Sequence, residues 1–290
     1  MIWVVFAFMT ALCESAKDVF SKRGLRIADV YVLTLAWAFF TLLFQLPLLA
    51  FIKIPMLDLR FWMFLVLAGT LNLAANLLYI KAIKSSDLSI TVPIITFTPL
   101  FLILTSPLIL REYPTFYSII GIFLIVGGSY VLNLGEMKNN FFAPIQALVR
   151  NKGPRMMLFV ALIWSVSANL DKMGVQMSTP LFWPIAMNAF ITIVMTPVVF
   201  LGSKVEGEQL HKNLKNFLAI GFCKTIGISC QMLAINLTLV AYVISIKRLS
   251  AVMTVLFGYL IFKERGIRER LMGAVIMVGG VLIITLSQIK

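Results

Sequence analysis

The composition of this 290-residue chain excludes a soluble domain, because 60% of its residues are hydrophobic and only 13% are charged. A mean hydropathy of +0.97 is typical of a polytopic α-helical membrane protein. The net charge of +13 does not indicate nucleic acid binding, since most Lys and Arg residues flank apolar runs. One histidine and three cysteines without ligand-like spacing predict no metal site, no disulfide framework, no cofactor and no catalytic residues.

Ten apolar segments follow one another along the chain, each long enough to cross a bilayer as a helix. They cover residues 2–20, 31–52, 61–80, 88–109, 115–134, 156–176, 181–201, 215–237, 240–262 and 267–287. The connections are short, and only 135–155 and 202–214 leave room for additional structure. The sequence therefore predicts an all-α integral membrane protein with ten transmembrane helices.

The two halves of the chain repeat each other. An offset of 152 residues superposes Glu112 on Glu264 and Gly121 on Gly273, and an offset of 150 aligns the first segment with the sixth. Five helices per repeat is an odd number, so the second copy is inverted relative to the first. Such inverted repeats are typical of alternating-access transporters. We predict a first repeat over 1–135, a connecting loop over 136–155 and a second repeat over 156–290.

The ninth segment carries two cations well inside its apolar run. Lys247 is the eighth residue of that run, so a continuous helix places it roughly 10 Å below the interface. On the same helical face lie small and polar residues, including Ser250 and Thr254. We interpret Lys247 and Arg248 as an anion-binding site; the alternative is that both side chains snorkel to the interface.

Polar residues on the third and eighth segments predict a cavity. Helical spacing aligns Gly69, Asn72, Asn76 and Tyr79 on one segment, and the repeat-related positions on the other are Gly221, Lys224, Ile228 and Gln231. The alternative is that the glycines only permit close packing and the polar groups bond between helices. Tyr79 and Tyr242 are predicted to cover the apolar part of a substrate.

Further charged residues within the apolar segments are candidates for coupling or charge neutralisation. Glu14 and Lys17 are spaced as an i,i+3 pair on the first segment, followed by Asp18. Asp171, near the end of the sixth segment, is interpreted as the ion-pair partner of Lys172, with a coupling carboxylate as the alternative.

The pattern resembles the drug/metabolite transporter superfamily, specifically its EamA-type members with ten helices. The matching residues are the two closing units, Leu110-Arg111-Glu112 with Gly121 and Gly127-Gly128, and Phe262-Lys263-Glu264 with Gly273 and Gly279-Gly280. The Lys247-Arg248 pair resembles the pair that triose-phosphate translocators, relatives of the nucleotide-sugar translocators, use to hold phosphate. Those relatives also carry a lysine ahead of a Glu-Pro on the fourth helix, where this chain has Ile95 and Thr98-Pro99. Lys224 is our candidate for the missing charge.

The resemblance implies a secondary transporter of a small organic metabolite, and the chain has no phosphate-binding loop for ATP. We expect an anionic substrate moved by exchange or proton coupling. The alternatives are an exporter of neutral or zwitterionic metabolites with Lys247 and Arg248 in structural salt bridges and, more remotely, a membrane enzyme acting on lipid phosphates. The expected partners are the substrate and membrane lipid, the expected location is a prokaryotic plasma membrane, and monomer or homodimer is left open.

Charge also predicts an orientation. Sixteen Lys and Arg residues lie in the odd-numbered loops, whereas five lie in the even-numbered loops and the C-terminus. The positive-inside rule therefore places the odd loops in the cytoplasm and both termini outside.

Overall fold

The computed structural model describes residues 1–24, 29–52, 56–85, 92–134, 151–202, 207–250, 252–253 and 267–288. Within these ranges there are ten α-helices and no strand, which confirms the predicted all-α architecture. The helices are α1 Ile2–Gly24, α2 Val30–Gln45, α3 Leu59–Ser85, α4 Thr98–Leu110, α5 Phe116–Leu134, α6 Lys152–Met177, α7 Phe182–Gly202, α8 Gly207–Leu237, α9 Val240–Lys247 and α10 Ile267–Leu286.

The outer surface of the bundle is apolar, as a lipid-facing surface must be. Large side chains such as Leu104, Phe123 and Phe200 are more than half exposed. Five helical stretches in the described ranges are long and apolar enough to span a bilayer by themselves. They cover Val30–Ala50, Leu59–Ser85, Lys152–Met177, Phe182–Leu201 and Asn213–Leu237.

The two repeats interlock instead of packing side by side. Helix α1 packs against α8, and its counterpart α6 packs against α3. In the same way α4 contacts α6 while α9 contacts α1. Three helices of the first repeat also contact their own counterparts in the second, in the pairs α2–α7, α4–α9 and α5–α10. This pattern is that of a pseudo-twofold axis through the middle of the molecule, so any central cavity is lined by both repeats.

The crossing of α5 and α10 shows that the repeats are inverted. A Cβ atom on Gly121 would lie 2.7 Å from the carbonyl oxygen of Gly280, and one on Gly128 would lie 2.7 Å from that of Gly273. The first glycine along α5 thus faces the second along α10, and the second along α5 faces the first along α10. These equivalent helices therefore run antiparallel. The close approach requires glycine at positions 121, 128 and 280, where an added Cβ atom would meet the opposite backbone.

Glycines at the predicted positions also allow close packing between α3 and α7 and between α8 and α2. A Cβ atom on Gly221 would lie 2.5 Å from the Cβ atom of Phe40, and one on Gly69 would overlap the ring of Phe190. Phe40 and Phe190 are themselves 150 residues apart, as the repeat requires. Gly69 and Gly221 therefore permit close helix packing, which was the alternative interpretation of these positions.

Two helices are interrupted near the centre of the bundle, where continuous segments were predicted. A 3₁₀-helix over Val92–Phe97 precedes α4, which begins at Thr98. After α9, the amides of Arg248 and Leu249 bond to the carbonyls three residues earlier, at 3.1 and 2.9 Å. The tighter turn rotates the residues that follow, so the face predicted to run from Lys247 through Ser250 is not continuous.

Candidate functional site

A cavity of about 120 Å³ lies between helices of both repeats. Apolar side chains, among them Trp37, Trp164, Trp183 and Met187, form part of its wall. Polar and charged side chains form the rest: Glu14, Lys17, Asn72, Asn76, Thr98, Ser167, Asp171, Asn188, Lys224, Gln231, Lys247 and Arg248. A polar cavity of this kind inside an apolar bundle is a candidate functional site.

Most of the predicted site residues meet at this cavity. The substrate-binding candidates that line it are Lys247, Arg248, Lys224, Asn72, Asn76 and Gln231. Glu14, Lys17 and Asp171, predicted for coupling, line it as well, and Asp18 lies beside Lys17. Ser250 is half-buried outside the cavity lining, and Thr254 lies outside the described residues.

The two predicted tyrosines do not line the cavity. Tyr79 is buried against Trp37 and Trp164, with ring centroids 6.2 and 5.3 Å away. Tyr242 is fully buried, and its hydroxyl accepts a hydrogen bond from the amide of Thr115 at 3.1 Å. Their predicted contact with the apolar part of a substrate stays a prediction, since neither side chain is part of this cavity's lining.

A chain of ion pairs runs along one side of the cavity. Lys17 pairs with Asp18 at 3.3 Å and with Glu14 at 2.5 Å. The second oxygen of Glu14 lies 3.6 Å from Lys247, whose ammonium group also donates to Gln231 at 3.0 Å. Glu14 therefore connects a cation of the first repeat with a cation of the second, and Lys247 does not snorkel.

Arg248 and Lys224 have no ion-pair partner within the described part of the chain. Arg248 is only 6% exposed, and its Nη2 donates to the hydroxyl of Thr98 at 2.9 Å. Its Nε is buried without a hydrogen-bond partner among the described residues. Lys224 lies over the ring of Trp37 with its Nζ 5.5 Å from the centroid, a cation–π contact that leaves the charge unneutralised.

Asp171 and Lys172 point to different places, which corrects the predicted pair. Asp171 lines the cavity and accepts a hydrogen bond from Nε1 of Trp183 at 3.0 Å. Lys172 pairs instead with Glu112 and donates to the carbonyl of Thr238 at 2.7 Å. Successive residues on a helix point about 100° apart, and here the two side chains face different neighbours.

Known proteins share this architecture. A model of the EamA-like transporter family matches residues 1–134 and 151–286. The chain belongs to this family. It is 21% identical over 296 residues to an uncharacterized transporter of Archaeoglobus fulgidus, a match that covers 100% of each chain. A solved crystal structure superposes with a TM-score of 0.75 at 15% identity, covering 98% of this chain and 96% of that chain, which shows the same fold.

The family membership confirms the resemblance drawn from the repeated Glu and Gly positions. This EamA-like transporter is a multi-pass integral membrane protein. Its archaeal relative agrees with the expected prokaryotic plasma membrane. The family and the relative's name indicate membrane transport.

The described charges around the cavity of this EamA-like transporter are unequal. The cations are Lys17, Lys224, Lys247 and Arg248, and the carboxylates are Glu14, Asp18 and Asp171. The cavity therefore carries one positive charge more than negative charges when all groups are ionised. Within the described residues, no group of His, Cys, Asp and Glu could hold a metal ion.

Sequence reasoning missed several lining residues. Trp164, Ser167 and Asp171 follow the i, i+3, i+7 spacing of one helical face on α6, a signal that would have found the first two. Thr98 was noted only as a departure from the pattern of relatives. Its contact with Arg248 joins residues 150 positions apart, and no local signal predicts it.

Proposed function

We propose that this EamA-like transporter moves a small organic anion across the membrane as a secondary transporter. The observation that carries the proposal is Arg248, whose buried guanidinium lines the cavity with a neutral partner and an unpaired Nε. An ion removed from water is costly unless a counter-charge and hydrogen bonds replace its hydration. A substrate carboxylate or phosphate supplies both, because its oxygens match the donor geometry of a guanidinium.

The size of the cavity supports a small substrate. Its volume of about 120 Å³ is below the roughly 300–1,000 Å³ of sites for drug-sized ligands. Trp37, Trp164 and Met187 offer apolar surface in the same cavity as the polar groups. A compact monoanion with an apolar body satisfies both parts of the surface, and its single charge offsets the excess positive charge of the cavity.

The interlocked repeats support alternating access. Residues of both repeats line the cavity, Glu14 and Asn72 from the first and Lys224 and Arg248 from the second. Rocking of one repeat against the other about the pseudo-twofold axis would expose this central site to each side in turn. The substrate would travel with the site and needs no continuous pore.

Glu14 bears on how transport is coupled. Unpaired cations in a closing cavity resist reorientation, which favours exchange of one anion for another. Because Glu14 contacts both Lys17 and Lys247, and Asp18 also contacts Lys17, these two carboxylates reduce the unbalanced cations to Arg248 and Lys224. This charge arrangement therefore permits proton-coupled net transport as well as exchange.

The test is uptake into proteoliposomes of a labelled panel of small monocarboxylates, phosphate esters, amino acids and uncharged amides. We expect uptake of at least one monoanion and its loss in Arg248→Gln. The control is Arg155→Gln, which removes a cation from the exposed end of α6. Uptake of no anion, or equal uptake by both variants, would refute the proposal.

A second candidate is a zwitterionic metabolite. It is favoured by Asp171, which lines the same cavity as Arg248 and has no ion pair among the described residues. An amino acid would place its ammonium group at Asp171 and its carboxylate at Arg248. Preference for amino acids over the matching monocarboxylates, lost in Asp171→Asn, would support this alternative against the first.

A further inference from the structure

The contact between Arg248 and Thr98 sets the charge that the cavity presents. Thr98 is 1% exposed and lines the cavity as the first residue of α4. Its Oγ1 donates its proton to the carbonyl of Ile95 at 2.6 Å, so it can only accept from Arg248 Nη2 at 2.9 Å. The hydroxyl therefore orients the guanidinium and leaves its full positive charge in place.

Two lysines of the cavity show what a carboxylate does in the same surroundings. Lys17 and Lys247 each contact Glu14, and Lys17 also contacts Asp18. Both cations are thereby balanced within the protein. Arg248 differs from them in having a neutral partner at the position where a carboxylate would complete an ion pair.

We propose that Thr98 is the residue that determines the charge selectivity of the transport site. With a hydroxyl at this position, Arg248 remains available for a substrate anion. With a carboxylate there, the guanidinium would be neutralised, the cavity would carry no excess charge, and uncharged or zwitterionic molecules would be preferred. The inference rests on the proposed function, since it names the side chain that makes this site one for anions.

The backbone at Thr98 holds the hydroxyl in place. The 3₁₀-helix Val92–Phe97 leads directly into α4, and Pro99 fixes the backbone of the first turn. The branched side chain of Thr98 has few rotamers there and bonds to Ile95 within that turn. A substitution that keeps the size of the side chain should therefore change its charge without changing the path of the chain.

The experiment compares Thr98→Asp with Thr98→Asn, which differ in charge and hardly in shape. Asp and Asn are both accepted near the start of a helix, so both variants should fold. The probe is a monocarboxylate that the wild type takes up, measured beside its uncharged amide in the same proteoliposomes. We expect Thr98→Asp to weaken the apparent affinity for the carboxylate about 100-fold more than that for the amide, the scale of losing a buried charge pair. Thr98→Asn also alters the hydrogen bond to Arg248 but adds no charge, so it should change the apparent affinities for both probes by the same factor.

The outcomes separate this inference from the proposed function. If the wild type takes up no anion, the proposed function fails and the selectivity role of Thr98 fails with it. If the wild type takes up the carboxylate and Thr98→Asp does so equally well, anion transport stands and the role of Thr98 is refuted. Two results would show that Thr98 acts through packing and overturn the inference. One is an equal loss of affinity for the carboxylate in Thr98→Asp and Thr98→Asn, and the other is an equal loss for carboxylate and amide in Thr98→Asp.

Discussion

Adding one methyl group to Gly280 should destabilise this protein, whereas adding it to the neighbouring Gly279 should not. A Cβ atom at position 280 would lie 2.6 Å from the carbonyl oxygen of Gly121 and 2.8 Å from Cγ1 of Ile125. A Cβ atom at position 279 meets nothing within 4 Å. The two substitutions therefore make the same chemical change in the same helix and differ only in what the new atom touches.

The size of the effect follows from these distances. Ordinary contact begins at 3.4 Å, so the helices must separate by about 0.8 Å to accept a Cβ atom at position 280. Overpacking of this kind costs about 1–3 kcal/mol. The gain in helix propensity from Gly to Ala, about 1 kcal/mol, is common to both variants and cancels in the comparison. Gly280→Ala should thus unfold roughly 2–12 °C below Gly279→Ala.

The assay is thermal unfolding of the two purified variants in one detergent at one scan rate, because membrane proteins often unfold irreversibly. Gly121→Ala should resemble Gly280→Ala, and the double variant should lose less than the sum, since both methyl groups stand at the same crossing. Equal midpoints for Gly279→Ala and Gly280→Ala would refute the antiparallel glycine crossing, and with it the argument for inverted repeats.

Three further predictions test the charged groups and the cavity. Glu14→Gln frees cations from their internal partner, so apparent affinity for a transported anion should rise while net uptake slows relative to exchange; counterflow assays measure the two. Glu112→Gln leaves Lys172 buried without its carboxylate and should destabilise the fold by about 3–5 kcal/mol in denaturant titrations. Single cysteines at Asn72 and Lys224, in a cysteine-free background, should react with small water-soluble thiol reagents and be protected by substrate.

Each of these has a control within the chain. Asp58→Asn changes a carboxylate at the start of α3 and should leave the ratio of net uptake to exchange unchanged. The double variant Glu112→Gln with Lys172→Met should recover part of the lost stability, because no charge is then left unpaired. A cysteine at Leu67, which is 50% exposed on the apolar surface of α3, should stay inert. The first prediction is contradicted by an unchanged ratio of net uptake to exchange in Glu14→Gln. The second is contradicted if the double variant recovers no stability, and the third if cysteines at 67 and 72 are labelled equally.

Much of the fold could be predicted from the sequence because its signals are local and periodic. A helix in a membrane must be apolar where it faces lipid, so hydropathy indicates where such helices lie. The repeat is visible because the same close helix crossing is needed twice, and only glycine allows it at the equivalent positions Gly128 and Gly280. Polar residues at helical spacing, such as Asn72 and Asn76, indicated which face of α3 lines the cavity, because polar side chains are unfavourable on a face that contacts lipid.

Only the tertiary structure decided which groups meet. The sequence placed Lys172 beside Asp171, but the fold pairs Lys172 with Glu112, some 60 residues away in the chain. It brings Thr98 to Arg248 and turns Tyr242 away from the cavity. The periodicity of a helix tells which residues share a face; the rotation of that face, and the partner opposite it, depend on how distant helices cross. At Arg248 a tight turn changes even the periodicity, so the arrangement of charges around the cavity was decided by packing between the two repeats.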